Sequence, residues 1–78
     1  MDVTSISVAL ELIANKAQLL PEEIDLDGTL EDAGLDSLHL MEMAMAVQRE
    51  YGTEVPEGDL RLDQTVTEAI AYLDLKMR

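Results

Sequence analysis

The stretch GLDSLHLMEMAMAVQREYG, residues 34–52, decides the fold of this chain because it predicts a well-bounded amphipathic helix. Asp36 or Ser37 can cap the free N–H groups of its first turn, and Gly52 is suited to end a helix that runs to about Tyr51. At about 100° per residue, four apolar side chains fall on one side of this helix, and we expect that side to be buried. They are Leu40, Met43, Val47 and Tyr51.

A second apolar stripe follows the same predicted helix. Leu38, Met41 and Met45 fall on another side, and Glu42 borders them. Because a small bundle cannot bury both sides of one helix, we expect this stripe to stay at the surface, where flexible thioethers suit partners of several shapes. The alternative is that Met41 and Met45 are ordinary core residues. Nearby carboxylates would attract basic partners over a distance; they are Asp36, Glu42 and Glu50.

Two further helices flank the central one. The first is predicted from Thr4 or Ser5 to Gln18, before Pro21, with an apolar stripe of Ile6, Leu10, Ile13 and Ala17. The last begins at the capping box Thr65-Val66-Thr67-Glu68, and its stripe is Val66, Ile70, Leu73 and Met77. Val55-Pro56 forces an extended residue and predicts a short extra helix from Glu57 to about Leu62.

The connection between the first two helices, residues 21–36, is long and acidic. It still contains four apolar side chains, which predict a loop pinned onto a core and not a free linker; they are Ile24, Leu26, Leu30 and Leu35. The fold class is therefore all-α. Three principal helices and one short helix form a single domain, residues 1–78, with a long loop between the first and second helices.

The composition excludes several classes of partner and site. The chain has 78 residues, 17 acids, five bases and a net charge of −12, which repels nucleic acid and anionic lipid and favours basic partners. With no cysteine, disulfides and thiolate metal sites are excluded, and thioester chemistry requires a sulfur from elsewhere. No apolar run approaches the roughly 20 residues of a membrane span. We expect a soluble, cytoplasmic monomer.

The motif Gly34-Leu35-Asp36-Ser37-Leu38 resembles the pattern around the modified serine of acyl and peptidyl carrier proteins. The resemblance continues through the helix that follows, residues 51–56 and residues 65–70. It implies an acyl-carrier-protein-like bundle, in which a phosphopantetheinyl transferase uses coenzyme A to join a 4′-phosphopantetheine arm to the Ser37 hydroxyl. It also implies that Asp36 helps the transferase and its metal to approach the serine.

The physics of the motif agrees with this resemblance. A serine at a helix N-terminus presents its oxygen to solvent, and the positive end of the helix dipole favours a phosphodiester. The absence of cysteine is consistent with a carrier protein, because the phosphopantetheine arm brings its own thiol. The resemblance further implies that Leu38, Met41, Glu42 and Met45 meet acyl- or ketosynthases, acyltransferases and tailoring enzymes. Strong acidity favours a fatty acid or polyketide carrier over a peptidyl or aminoacyl carrier.

The residues around Ser37 exclude a serine hydrolase. A nucleophile elbow of the G-x-S-x-G type needs a glycine two residues after the serine, where this chain has His39. His39 lies on an adjacent helical position, poorly placed to act as a base for Ser37. We expect it to be a solvated surface residue, and we predict no catalytic residue.

A calcium loop is also rejected. Five residues imitate positions 1, 3, 5, 6 and 9 of an EF-hand; they are Glu23, Asp25, Asp27, Gly28 and Glu31. Position 12, which needs a bidentate glutamate, is Gly34, so we predict no metal site. One alternative stays open: a helical interaction module with the same fold and charge that is never modified.

Overall fold

The computed structural model describes the backbone of residues 4–77 and the side chains of residues 8–77. Three α-helices form within that range, α1 (Thr4–Ala17), α2 (Ser37–Tyr51) and α3 (Val66–Lys76), together with a short 3₁₀ helix, Pro21–Glu23. The predicted all-α class is confirmed. Among the described helices, none has the length and apolar character needed to cross a membrane.

The helices begin and end where local signals place them. The Asp36 carboxylate accepts a hydrogen bond of 3.0 Å from the His39 N–H at the start of α2. Gly52 ends that helix in the left-handed region, at φ 68°, which glycine adopts without a steric penalty. Thr65 and Glu68 form the predicted capping box of α3, each side chain accepting from the other's N–H at 3.0–3.1 Å.

The prediction of a short helix over residues 57–62 is wrong. That segment forms turns, the first closed by a 3.2 Å hydrogen bond from the Asp59 N–H to the Pro56 carbonyl. Gly58 lies inside this turn at φ 96°, a left-handed conformation that no α-helix continues through. The short helix forms instead at residues 21–23, where Pro21 pre-sets the helical φ and Glu23 accepts a hydrogen bond from the Leu20 N–H at 2.8 Å.

Side chains from all three helices and the long loop build one core. Its largest fully buried members are Ile13, Leu30, Met43, Val47, Val66 and Leu73. The predicted stripes of α1 and α3 are buried or partly buried, except that the Ile6 side chain lies outside the described residues. On α2, Tyr51 is 43% exposed, so its predicted burial is wrong. Each four-residue step turns about 40° past a full turn, which carries Tyr51 away from Met43 and the core.

The long loop is ordered, as its apolar residues predict. Its backbone pairs with the segment before α3: the Leu30 N–H donates to the Gln64 carbonyl at 3.0 Å, and the Val66 N–H donates to the Gly28 carbonyl at 2.9 Å. Leu30 is completely buried between these bonds. Leu26 differs from the prediction, since its side chain is 45% exposed.

Candidate functional site

Ser37 is the first residue of α2, and its side chain is exposed. The cap of the helix is the Asp36 carboxylate, so the Ser37 hydroxyl is not needed to satisfy the first-turn N–H groups. Leu35, 4% exposed, fixes the chain to the core just before the site. Gly34 makes the preceding bend at φ 94°. This arrangement holds a free hydroxyl at the head of a helix.

His39 has a role that the sequence did not reveal. It is partly buried, and its Nδ1 lies 3.2 Å from the Asp36 N–H, from which it accepts a hydrogen bond. Asp36 and His39 thus close a reciprocal capping box in which histidine stands at the position usually held by Glu or Gln. The prediction that His39 is a solvated surface residue is corrected here, because its ring takes part in the helix cap. Asp36 keeps 65% of its side chain exposed and so remains accessible beside Ser37.

Leu38, Met41 and Met45 form an exposed strip along α2, which we name the apolar ridge. They are 55%, 54% and 55% exposed, whereas Met43, on the core side of the same helix, is completely buried. The core alternative for Met41 and Met45 is therefore wrong. The ridge begins one residue after Ser37, so a protein that reaches the hydroxyl also meets the ridge.

Glu42 borders the ridge, but its charge is shared. Its Oε1 lies 2.9 Å from the Nζ of Lys16 on α1, in an ion pair whose two side chains are 44% and 31% exposed. Sequence reasoning missed Lys16 because it is 26 residues away along the chain. Glu50, which we expected near the ridge, follows Met45 by five residues and so lies about 140° around the helix from it.

A groove of about 940 Å³ opens beside Ser37. The ridge and Ala44 of α2 line one wall, and Val55, Leu60 and Leu62 line the other. Its rim is acidic, with Glu31, Glu57 and Asp63, although Asp63 is paired with Arg61 at 3.0 Å. An apolar chain attached near Ser37 would find an apolar surface within reach.

Tyr72 of α3 fixes the outer wall of this groove. Its hydroxyl donates a 2.6 Å hydrogen bond to Oδ2 of Asp59, in the segment that carries Leu60. Lys76 Nζ lies 5.6 Å from the centre of the tyrosine ring. Burial, followed by the hydrogen bond to Asp59 and the charge of that carboxylate, raises the pKa of Tyr72 from 10.0 to about 12.

Replacing Tyr72 by Phe should lower the free energy of unfolding by about 1 kcal/mol, the net value of a typical hydrogen bond. Because the pKa of Tyr72 is higher in the folded state, its contribution is complete below pH 10 and is lost as the pH rises towards 12. Urea unfolding of both proteins between pH 8 and 12 measures this, and the difference should shrink with rising pH. Tyr51→Phe is the matched control. An equal effect of the two substitutions would contradict the assigned hydrogen bond.

No three His, Asp or Glu side chains are grouped to hold a metal ion in the part of the chain that the structure describes. The acids of the long loop serve local turns instead. Asp25 Oδ1 accepts from the Asp27 N–H at 3.1 Å, and Asp32 exchanges hydrogen bonds with Thr29 at 3.0–3.2 Å. Their carboxylates stabilise the loop that leads to Ser37.

Comparison with known proteins gives consistent matches over this region. A family model described as "Phosphopantetheine attachment site" matches residues 7–73. The acyl carrier protein of Clostridium perfringens strain SM101 is 34% identical over 64 residues, which cover 81% of this chain and 84% of the relative. The acyl carrier protein of Zymomonas mobilis subsp. mobilis is 40% identical over 45 residues, 58% of each chain.

Proposed function

Because this chain belongs to the acyl carrier protein family, whose members carry covalently attached 4′-phosphopantetheine and are not enzymes, we propose that Ser37 bears the arm here. The observation that carries the proposal is the exposed Ser37 hydroxyl at the start of α2, left free because Asp36 caps the helix. The chain then acts as a single carrier domain that presents an acyl cargo to other enzymes.

The residues around Ser37 fit a phosphodiester. The positive end of the α2 dipole favours an anion on its oxygen, and residues 37–40 contain no acid; the neighbouring carboxylate, Asp36, already accepts a hydrogen bond from the His39 N–H. During loading, Ser37 Oγ would give its proton to a base of the transferase and form a P–O bond to the pantetheine-linked phosphorus of coenzyme A, as the P–O bond of the diphosphate bridge breaks and adenosine bisphosphate leaves. Asp36, with an exposed carboxylate, assists the transferase and its metal. The bound arm supplies the thiol that holds the cargo as a thioester.

The apolar ridge and Glu42 form the proposed docking face for the transferase and the enzymes that load, extend or remove the cargo. These are acyl- or ketosynthases, acyltransferases and tailoring enzymes with basic docking surfaces. The exposure of Leu38, Met41 and Met45 supports this role, since each offers apolar area to a partner. A carrier must leave each partner quickly, so we expect weak, salt-sensitive contacts.

The groove beside Ser37 supports a fatty acid or polyketide cargo. Its walls are mainly aliphatic side chains and methionines, which favour an apolar chain over an amino acid. A peptidyl or aminoacyl carrier is the less favoured alternative. We also propose that the protein acts in the cytoplasm as a monomer.

Thiol titration tests the proposed function directly because the chain has no cysteine. The purified unmodified protein should give no thiol signal. After incubation with coenzyme A, magnesium and a broad-specificity phosphopantetheinyl transferase, followed by gel filtration to remove coenzyme A, each chain should carry a single reactive thiol. A helical interaction module that is never modified would gain none, and that result would reject the proposal.

A further inference from the structure

We infer that the apolar ridge accepts a partner in only one orientation, because its two sides carry opposite charge. This inference rests on the proposed docking function of the ridge and concerns which enzymes it admits. One side of the ridge faces α1, and we name it the α1 side. The other borders the groove and is named the groove side.

The α1 side is cationic. Lys16 holds the Glu42 carboxylate at 2.9 Å, so this acid offers little free charge to a partner. Arg49 follows Glu42 by seven residues, close to two helical turns, and therefore leaves α2 on the same side. Its side chain is exposed. Next to the ridge, the bases Lys16 and Arg49 outnumber the acid Glu42, while Glu50 lies about 80° beyond Glu42 around α2, so this border is positive on a protein whose net charge is −12.

The groove side is anionic. Glu31 and Glu57 are both exposed and line the groove together with Ser37 and Leu38. Among the side chains that the structure describes, neither glutamate has a base within ion-pair distance, in contrast to Glu42 and Asp63. The unshared negative charge of the docking face therefore lies beside the groove and the attachment serine.

The matching partner is an enzyme with an apolar socket for the ridge and an asymmetric rim. Its bases lie on the edge that faces Glu31 and Glu57, and a carboxylate lies on the edge that faces Lys16 and Arg49. The reversed orientation would bring like charges together on both edges and is disfavoured. Since Ser37 lines the groove, this orientation also sets the partner's basic edge beside the point where the arm leaves the carrier.

The decisive variant is Arg49→Gln, because overall charge and local charge predict opposite results. Removing a base makes an acidic protein more acidic, which by net charge alone should speed association with a basic partner. The opposite charges on the two sides of the ridge predict instead that kcat/KM for loading by the source organism's phosphopantetheinyl transferase falls about three-fold at low salt. Lys76→Gln makes the same charge change on α3 and should not lower the rate.

Glu57→Gln tests the opposite side of the ridge. It should lower kcat/KM about three-fold at low salt, while Glu11→Gln, the same change at an exposed site of α1, should have a much smaller effect. The effects of Arg49→Gln and of Glu57→Gln, each relative to its control, should disappear at high salt. Thermal unfolding by circular dichroism identifies any variant whose loss is due to misfolding, and such a variant is replaced by Arg49→Met or Glu57→Ala, which also remove the charge and should lower the rate by a similar factor. Arg49→Lys and Glu57→Asp keep the charge and should keep the rate.

The outcomes separate the two proposals. If Arg49→Gln and Lys76→Gln raise the rate alike, or if Glu57→Gln and Glu11→Gln lower it alike, net charge alone steers docking and the oriented face is wrong. If the wild-type protein acquires no arm from coenzyme A under any salt condition, the proposed carrier function itself fails. A loaded wild type, together with a rate that falls in Arg49→Gln and does not fall in Lys76→Gln, supports both.

Discussion

Leu30→Ala should lower the free energy of unfolding by about 3 kcal/mol, a large part of the stability of so small a domain. Leu30 is completely buried although it belongs to a loop, and its N–H is bonded to the Gln64 carbonyl. The bond prevents the loop from collapsing into the space left by the side chain, so a cavity remains. Urea unfolding followed by circular dichroism measures the loss.

Leu26→Ala is the control for this prediction, because it makes the same chemical change in the same loop at a side chain that is 45% exposed. It should cost well under 1 kcal/mol. Leu30→Ala should also slow loading at a temperature where the domain is partly unfolded, because unfolding of the loop breaks the bond from the Leu35 N–H to the carbonyl of residue 30 and so releases the chain two residues before Ser37. Equal costs for Leu26→Ala and Leu30→Ala would show that the loop is not anchored as described.

Ser37→Ala should abolish phosphopantetheine transfer and leave the fold intact. The hydroxyl is the acceptor in the proposed reaction, and alanine offers no oxygen in its place. The helix keeps its cap because the capping carboxylate belongs to Asp36, and alanine favours helix in the first turn. Loading assays should therefore show complete loss of transfer with an unchanged urea midpoint.

Ser5→Ala is the control for Ser37→Ala and should load as the wild type does. Retained loading in Ser37→Ala would move the attachment to another residue. A large fall in its urea midpoint would mean that the serine, and not Asp36, holds the helix start.

The sequence predicts the elements whose causes are local. The capping box of Thr65 and Glu68, the glycine at position 52 and the placing of Met43 and Val47 in the core all depend on residues within a few positions of one another. The helical period also predicts the exposure of Met41 and Met45, because one helix in a small bundle cannot bury both sides.

Features that depend on distant contacts or rare chemistry were missed. Nothing near Glu42 in the sequence indicates that Lys16 reaches it across 26 positions, so the docking face seemed uniformly acidic. The capping role of His39 was missed because histidine is unusual in a capping box. The helix predicted after Pro56 failed at Gly58, whose positive φ depends on a turn closed by Asp59.

The central claim is that Ser37 carries the arm, and peptide mass spectrometry of the loaded protein tests it most directly. Cleavage after Lys16 and Arg49 releases residues 17–49, a peptide in which Ser37 is the only serine. We predict that this peptide gains the mass of one phosphopantetheine group and that fragmentation assigns the group to Ser37. A peptide 17–49 of unmodified mass, or a group assigned to Thr29 or to a residue elsewhere in the chain, would contradict the account.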